Sequence, residues 1–204
     1  MKKILAFLLA LILIFALAAC GSDDTAADTT ATPSGDTSTT ADAGDTIYFG
    51  VNYELTGSNP IIGESAIKGI DMAVNEINEA GGITVGDKTY KLAYKALDNG
   101  FNTDESALNT QQFADDKSIV AMVGPNDSDM CMAGSAIVKE YGLPMIAPWS
   151  TLVELTDNPY IFRCCFTDNF QGYILAKYAY EYEGATTAAI LYDMSNPYNV
   201  GVAE

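Results

Sequence analysis

The chain has 204 residues, with 10 Lys and Arg against 27 Asp and Glu, a formal net charge of −17 and no histidine. Such an acidic body is unsuited to nucleic acid, whose phosphates call for clustered Lys and Arg, and without imidazole it lacks the commonest general base and metal ligand. Four cysteines without a CxxC spacing argue against zinc or dithiol redox chemistry, and there is no phosphate loop or GxGxxG. The acidity is read as a source of solubility.

Lys2 and Lys3 lead an apolar run over residues 4–19 that stops at Cys20. About sixteen apolar residues fall short of the ~20 a stable membrane span needs, and the basic lead with small residues at the end is the layout of an export signal. The stop, Leu17-Ala18-Ala19-Cys20-Gly21, resembles the lipobox of bacterial lipoproteins. That resemblance implies a signal peptide over 1–19, cleavage before Cys20, and lipid on its sulfur and new amino group. The segment 20–45 then holds the lipidated cysteine and a tether of Gly, Ser, Asp, Thr, Ala and one Pro. With no large side chain to bury, the tether cannot offset its ordering entropy and is expected to be disordered. As a flexible coil it spans roughly 28 Å. The expected location is the outer face of a cytoplasmic membrane, and the long polar tether suits a single-membrane bacterium.

From residue 46 onward β-type runs alternate with amphipathic stripes. Residues 46–53, TIYFGVNY, read as a strand ending in a turn at 56–60. A helical stripe follows from Gly63, with Ala66, Ile67, Ile70, Ala73, Val74 and Ile77 spaced by three and four. Gly81-Gly82 closes it in the manner of a helix C-terminal cap. Residues 88–97 predict a strand, and Asn102 or Thr103 starts a helix through Ala107, Leu108 and Phe113. The continuous apolar run 118–124 is typical of a buried parallel strand. A polar turn at 125–129 leads into a helix through Ala136, Ile137 and Val138, which Gly142 ends. Strands are then expected at 144–148, 160–164 and 187–192, with a helix over 170–183. Regular alternation of strand and helix argues for an α/β fold with a parallel sheet.

Ligands of open α/β sheets bind beyond the carboxyl ends of the strands. Those ends are 53–60, 98–102, 125–129, 149–151 and 193–198, and they are rich in Ser, Thr, Asn, Asp, Tyr and Trp. Such groups suit a small zwitterion or polar solute. After Cys20 the remaining cysteines are Cys131, Cys164 and Cys165. The adjacent pair cannot easily bond to each other; Cys131 bridged to either, or three free thiols, both fit the sequence.

The motifs GVNYELTG, AIKGIDMAVNEINEAGGI, AMVGPNDS, GLPMIAPWST, LTDNPYIFRCCFTDNFQG and AILYDMSNPYNVG, in this order and spacing, resemble the type I solute-binding proteins of ABC importers, in their leucine/isoleucine/valine-binding branch. The resemblance covers residues 46–204. It implies two α/β lobes closing over a ligand in the cleft by a hinge near residues 165–168, with the first lobe at 46–165 and the start of the second at 166–204. It also implies that Ser128 holds the ligand carboxylate through hydroxyl and backbone NH. Trp149, Ser150 and Thr151 would line the amino-acid backbone, and Tyr198 would cover the ligand from the second lobe. The implied partners are a small amino acid and an importer permease, with the membrane reached through the lipid anchor. The protein is expected to act as a monomer, to need no cofactor and to avoid nucleic acid.

Several features depart from that pattern. Ile62 stands where some members have an aromatic, and Trp149 is much larger than the small residue of the best-known members. The first-lobe disulfide has no cysteine at 98–102. Two lobes of ~150 residues each would be expected, so the second is read as incomplete at Glu204, as in a truncated product, and the fragment is expected to bind weakly or not at all. Two other readings remain: a sensing lipoprotein of the same fold, and an enzyme using Asp127 and Asp129. The second is disfavoured, because solvated acids on a turn are the usual case and no complete calcium-loop pattern is present.

Overall fold

In the computed structural model, residues 46–204 are described; the expected export signal, Cys20 and the tether lie outside them. Along the chain run β1 (Thr46–Tyr53), α1 (Pro60–Glu79), β2 (Ile83–Val85), β3 (Lys88–Asp98), α2 (Thr103–Asp115), β4 (Ile119–Val123), α3 (Ser128–Tyr141) and β5 (Met145–Ala147). A 3-10 turn (Val153–Asp157), β6 (Ile161–Arg163), α4 (Asp168–Glu181) and α5 (Pro197–Ala203) follow. Six strands form one sheet in the order β2-β3-β1-β4-β5-β6. All neighbours are parallel except the edge hairpin β2–β3. The expected α/β class with a parallel sheet is what the chain forms.

Strand order reverses at β1, which has β3 on one side and β4 on the other. A right-handed crossover after β1 and another after β3 must therefore pass over opposite faces of the sheet. Side chains obey this. Phe49 and Tyr94, paired in register, lie with ring centroids 5.8 Å apart, and the Tyr94 hydroxyl donates to Asp71 of α1. On the other face, Tyr48 and Leu97 lean on a cluster built from α2, α3 and the strands, including Phe113, Met122, Cys131, Val138 and Met145. Full burial of such side chains contributes ~1.5–3 kcal/mol each and holds both helices on the sheet.

Helix boundaries follow local chemistry. α1 begins at Pro60, three residues before the expected Gly63, because proline fits a first helical position where no NH is needed. Gly63 is buried instead against the end of β1, where a Cβ would sit 2.1 Å from the Glu54 carbonyl oxygen. Asn102 caps α2 by accepting from Glu105 N at 2.9 Å. Gly142 ends α3 in a left-handed conformation at φ 66°, as expected from its position. β2 was not anticipated; Gly86-Asp87 joins it to β3 as a two-residue hairpin, a signal present in the sequence.

The expected strand at 187–192 is a correction. Those residues adopt no regular structure, and Leu191 is fully exposed. Strand propensity cannot act without a neighbour to complete the ladder, and none of the six strands lies beside this segment. The boundary expected at 165 falls in the loop between β6 and α4. In α4 only Asp168 is buried, while Phe170, Tyr173, Leu175, Tyr178 and Tyr180 are each more than half exposed. α4 packs on α5 so closely that a Cβ on Gly172 would lie 2.6 Å from the Val202 carbonyl oxygen.

Candidate ligand-binding site

The reversal of strand order puts a crevice at the carboxyl ends of β1 and β4. A cavity of about 270 Å³ lies there, lined by Asn126, Asp127, Ser128, Trp149, Thr151, Phe166, Gln171 and Tyr198. Four of the five residues expected to contact ligand therefore line the same cavity. The fifth, Ser150, lies just behind it, buried, with its hydroxyl donating to Ser128 Oγ at 2.9 Å.

Two loops carry this arrangement. Asp127 caps α3, and its Oδ1 accepts from Ser128 N at 3.0 Å. The Ser128 amide, expected to meet a ligand carboxylate, is thus already engaged by a neighbouring side chain, whereas the Ser128 hydroxyl remains available as a donor. The segment 149–151 is clamped from behind. The Thr151 carbonyl accepts from Arg163 Nη1 at 2.7 Å and from Asp168 N at 2.9 Å, while Arg163 Nη2 reaches the Leu152 carbonyl at 2.7 Å. Trp149 is 54% exposed, so it forms the cavity mouth and takes no part in the core.

The opposite wall comes from α4 and α5. Gln171 Nε2 donates to the Tyr198 hydroxyl oxygen at 2.7 Å, which leaves the phenolic proton free to point elsewhere. Asn196 caps α5 by accepting from Asn199 N at 3.1 Å and so sets the position of Tyr198 two residues on. Phe166 and Gln171 were not singled out from sequence; both sit in the LTDNPYIFRCCFTDNFQG motif. Asn126 and Asp127 lie on the strand-end turn 125–129 that had been marked.

Electrostatically the site leans negative. No Lys or Arg lines it. Burial pushes the Asp127 carboxyl above the usual carboxylate range, and the charge of Asp129 adds to the effect. Glu54 is buried behind Asn126 and accepts from Asn126 Nδ2 at 2.9 Å; its Oε2 has no hydrogen-bond partner among the described residues. Cys131 is buried, donates to the Pro125 carbonyl at 3.1 Å, and has its thiol pushed far up by burial. All three cysteines after Cys20 are free. Among the described residues no cluster of three or more metal-ligating side chains occurs, and no helix is long and apolar enough to cross a membrane.

The periplasmic binding protein profile matches residues 46–204, the whole described region. The chain belongs to the periplasmic binding protein family. Leu/Ile/Val-binding protein homolog 1 of Brucella abortus is 27% identical over 160 residues, which are 78% of this chain and 42% of that protein. Homolog 2 of the same organism reaches 31% over the same share of each. Among solved structures, the branched-chain amino acid transporter substrate binding protein LivJ from Streptococcus pneumoniae, in complex with isoleucine, superposes with a TM-score of 0.71. It is 34% identical and covers 78% of this chain and 45% of that one. An ABC transporter substrate-binding protein from Desulfitobacterium hafniense in complex with Leu gives 0.64 at 29% identity, over 78% and 45%. The chain thus spans less than half the length of these periplasmic binding protein relatives. They are binding proteins and not enzymes, so the reading of Asp127 and Asp129 as catalytic acids finds no support among them.

Proposed function

We propose that the chain is the ligand-gripping part of an extracytoplasmic solute-binding lipoprotein of an ABC importer. It takes a branched-chain or similar small amino acid into the cleft and delivers it to the permease. The observation that carries this reading is the convergence of Ser128, Thr151 and Tyr198 on one cavity at the reversal of strand order. Hydroxyl donors at the start of α3 suit a carboxylate, and the aromatic faces of Trp149, Phe166 and Tyr198 suit an apolar side chain. Relatives named for leucine, isoleucine and valine support the ligand class. The lipid anchor at Cys20 rests on the lipobox resemblance, and hinge closure near residues 165–168 rests on the family fold. A sensing lipoprotein of the same fold is the second reading, since it would use the same cleft.

Calorimetric titration of the chain with each of the twenty amino acids tests the proposal. Weak but saturable 1:1 binding of leucine, isoleucine, valine or a neighbour in size is expected. Binding confined to solutes without an amino group would overturn it. Cys20→Ala should move the protein from the membrane fraction to the medium if the anchor is as proposed.

A further inference from the structure

Helix α4 has one side fixed and the other bare. On the fixed side it meets α5: Gly201 sits against the Asp168 carboxylate, and Gly172 faces the Val202 carbonyl. At about 3.6 residues per turn, Phe170, Tyr173, Ile174 and Tyr178 fall opposite that side as a single stripe, with Tyr180 along its edge. All five are exposed, Tyr173 by 61% and Tyr180 by 72%. Gln171 lines the cleft and lies off the stripe, so this surface is separate from the ligand cavity.

The stripe is large and nearly uncharged. At these exposures the four aromatic rings and Ile174 leave about 600 Å² of mostly apolar surface in water. That is at the upper end of what a monomer exposes in one patch, and it approaches the ~800 Å² one partner buries in a stable complex. The chain carries 27 acidic residues, yet residues 169–180 hold none, and residues 184–192 hold no charged side chain at all. Lys177, the one cation on α4, has its Nζ 3.9 Å from Glu181 Oε2 and 6.0 Å from the centre of the Tyr173 ring. A basic partner therefore finds no free carboxylates on the stripe, and an anionic one finds a single balanced ammonium. Aromatic surface depleted of charge is what the centre of a protein interface requires.

The spacing names the partner. Phe170 and Tyr178 stand four residues either side of Ile174, so the stripe reads alike from both ends. Turned by a two-fold axis through Ile174, it is complementary to itself: Phe170 of one copy meets Tyr178 of the other, and Ile174 meets its own equivalent. We propose that α4 is the dimerisation surface of this chain, pairing antiparallel with α4 of a second copy. Such a dimer departs from the monomer expected from sequence and leaves both clefts open.

Sedimentation velocity on the full chain carrying Cys20→Ala, which removes the expected lipid, tests this. A monomer–dimer equilibrium with a dissociation constant on the order of 10 μM is expected for an interface of this size. Because two acidic bodies are brought together by apolar contact, raising NaCl from about 20 to about 500 mM should tighten the dimer roughly threefold. Ile174→Glu sets two carboxylates on the axis and should weaken it at least thirtyfold. Met72→Glu, at another exposed apolar side chain on α1, should leave the dimer unchanged. If Ile174→Glu does not fold, Ile174→Cys in a Cys164→Ser background carries the comparison, since its thiol should give an intermolecular disulfide under mild oxidant. A monomer at every concentration up to about 200 μM, a dimer that Ile174→Glu leaves intact, or no cross-link at position 174 would each overturn the proposal. So would a monomer that floats with neutral phosphatidylcholine vesicles, which would put lipid on the stripe, or open-ended aggregates in place of a dimer.

Discussion

Ser150 Oγ lies 2.9 Å from Ser128 Oγ, although the two residues leave different strand ends and are 22 positions apart. The contact ties the loop after β5 to the first turn of α3 beneath the cleft floor. Both side chains are almost wholly buried, so neither hydroxyl has bulk water as an alternative partner.

Breaking that tie should cost both stability and binding. Ser150→Ala leaves a buried Ser128 oxygen without its donor, and a loss of about 1–2 kcal/mol is expected in denaturant unfolding. The Ser128 proton is then free to rotate away from the cavity. Amino-acid affinity should fall roughly tenfold, the equivalent of one lost hydrogen bond to a charged group. An unchanged dissociation constant in Ser150→Ala would remove the proposed role of the pair.

Asp98 joins the ends of β1 and β3. Its Oδ1 accepts from Leu55 N at 2.8 Å, Thr56 N at 3.1 Å and Gly100 N at 2.8 Å, and its Oδ2 accepts from the Thr56 hydroxyl. Burial alone would raise its pKa, but these hydrogen bonds outweigh it, and the carboxyl sits below its ordinary value of 3.8. Because the folded-state pKa is depressed, this stabilisation is present above that value and fades as pH falls through the lower folded pKa. Asp98→Ala should destabilise the chain by about 2 kcal/mol at pH 7. The difference between the two proteins should shrink towards pH 2, as read from urea midpoints across the acid range.

Asp168 shows the opposite sign. It is wholly buried, both carboxylate oxygens lack a hydrogen-bond partner among the described residues, and its Oδ2 is packed against Gly201. Burial raises its pKa above 3.8; the Thr151 side chain and the Arg163 charge pull the other way, and Glu154 adds to the rise. The folded state therefore favours the protonated acid. That stabilisation is full below the unfolded pKa and is lost as pH rises through the raised folded one. Asp168→Asn mimics the neutral form and should raise the unfolding free energy by about 1 kcal/mol at pH 7. At pH 3 the two proteins should melt together. A variant less stable than wild type at neutral pH would mean that attraction to Arg163 outweighs burial.

The three thiols should separate by accessibility. Cys164 is exposed, Cys165 is half-buried with its thiol donating to the Ser150 carbonyl at 3.2 Å, and Cys131 is fully buried with its thiol pKa pushed far up. A disulfide-exchange reagent at pH 8 should label Cys164 first and Cys165 more slowly. Cys131 should react only on unfolding, because both burial and loss of thiolate protect it. Mass-mapped labelling reads the order, and early reaction at Cys131 would contradict the core described above.

Much of this architecture could be read from the chain directly. The continuous apolar run at 118–124 marked a buried parallel strand, 144–148 a short strand, and the three-four stripe on 66–77 marked a helix, since periodicity follows from backbone geometry alone. Gly142 and Asn102 announced helix ends because their chemistry is local. Strand-end turns were recognisable as candidate ligand contacts, while Ser128 and Trp149 to Thr151 were singled out on those turns by the family resemblance. Residues 187–192 show the limit. Their β-type composition is plain, yet a strand exists only where another strand completes its hydrogen bonds, and that depends on distant parts of the chain.

Periodicity, caps and strand-end composition therefore specified an α/β fold and its candidate rim, because each depends on neighbours within a few residues, whereas the family resemblance rested on the order and spacing of motifs along residues 46–204. Folding alone decided which polar atoms face each other: Ser150 beneath Ser128, Gln171 on Tyr198, Glu54 behind Asn126, and Asp127 occupying the Ser128 amide. Those pairings join segments that the sheet brings together in space. The direction in which a hydroxyl or amide donates is set by such partners and has no local signature.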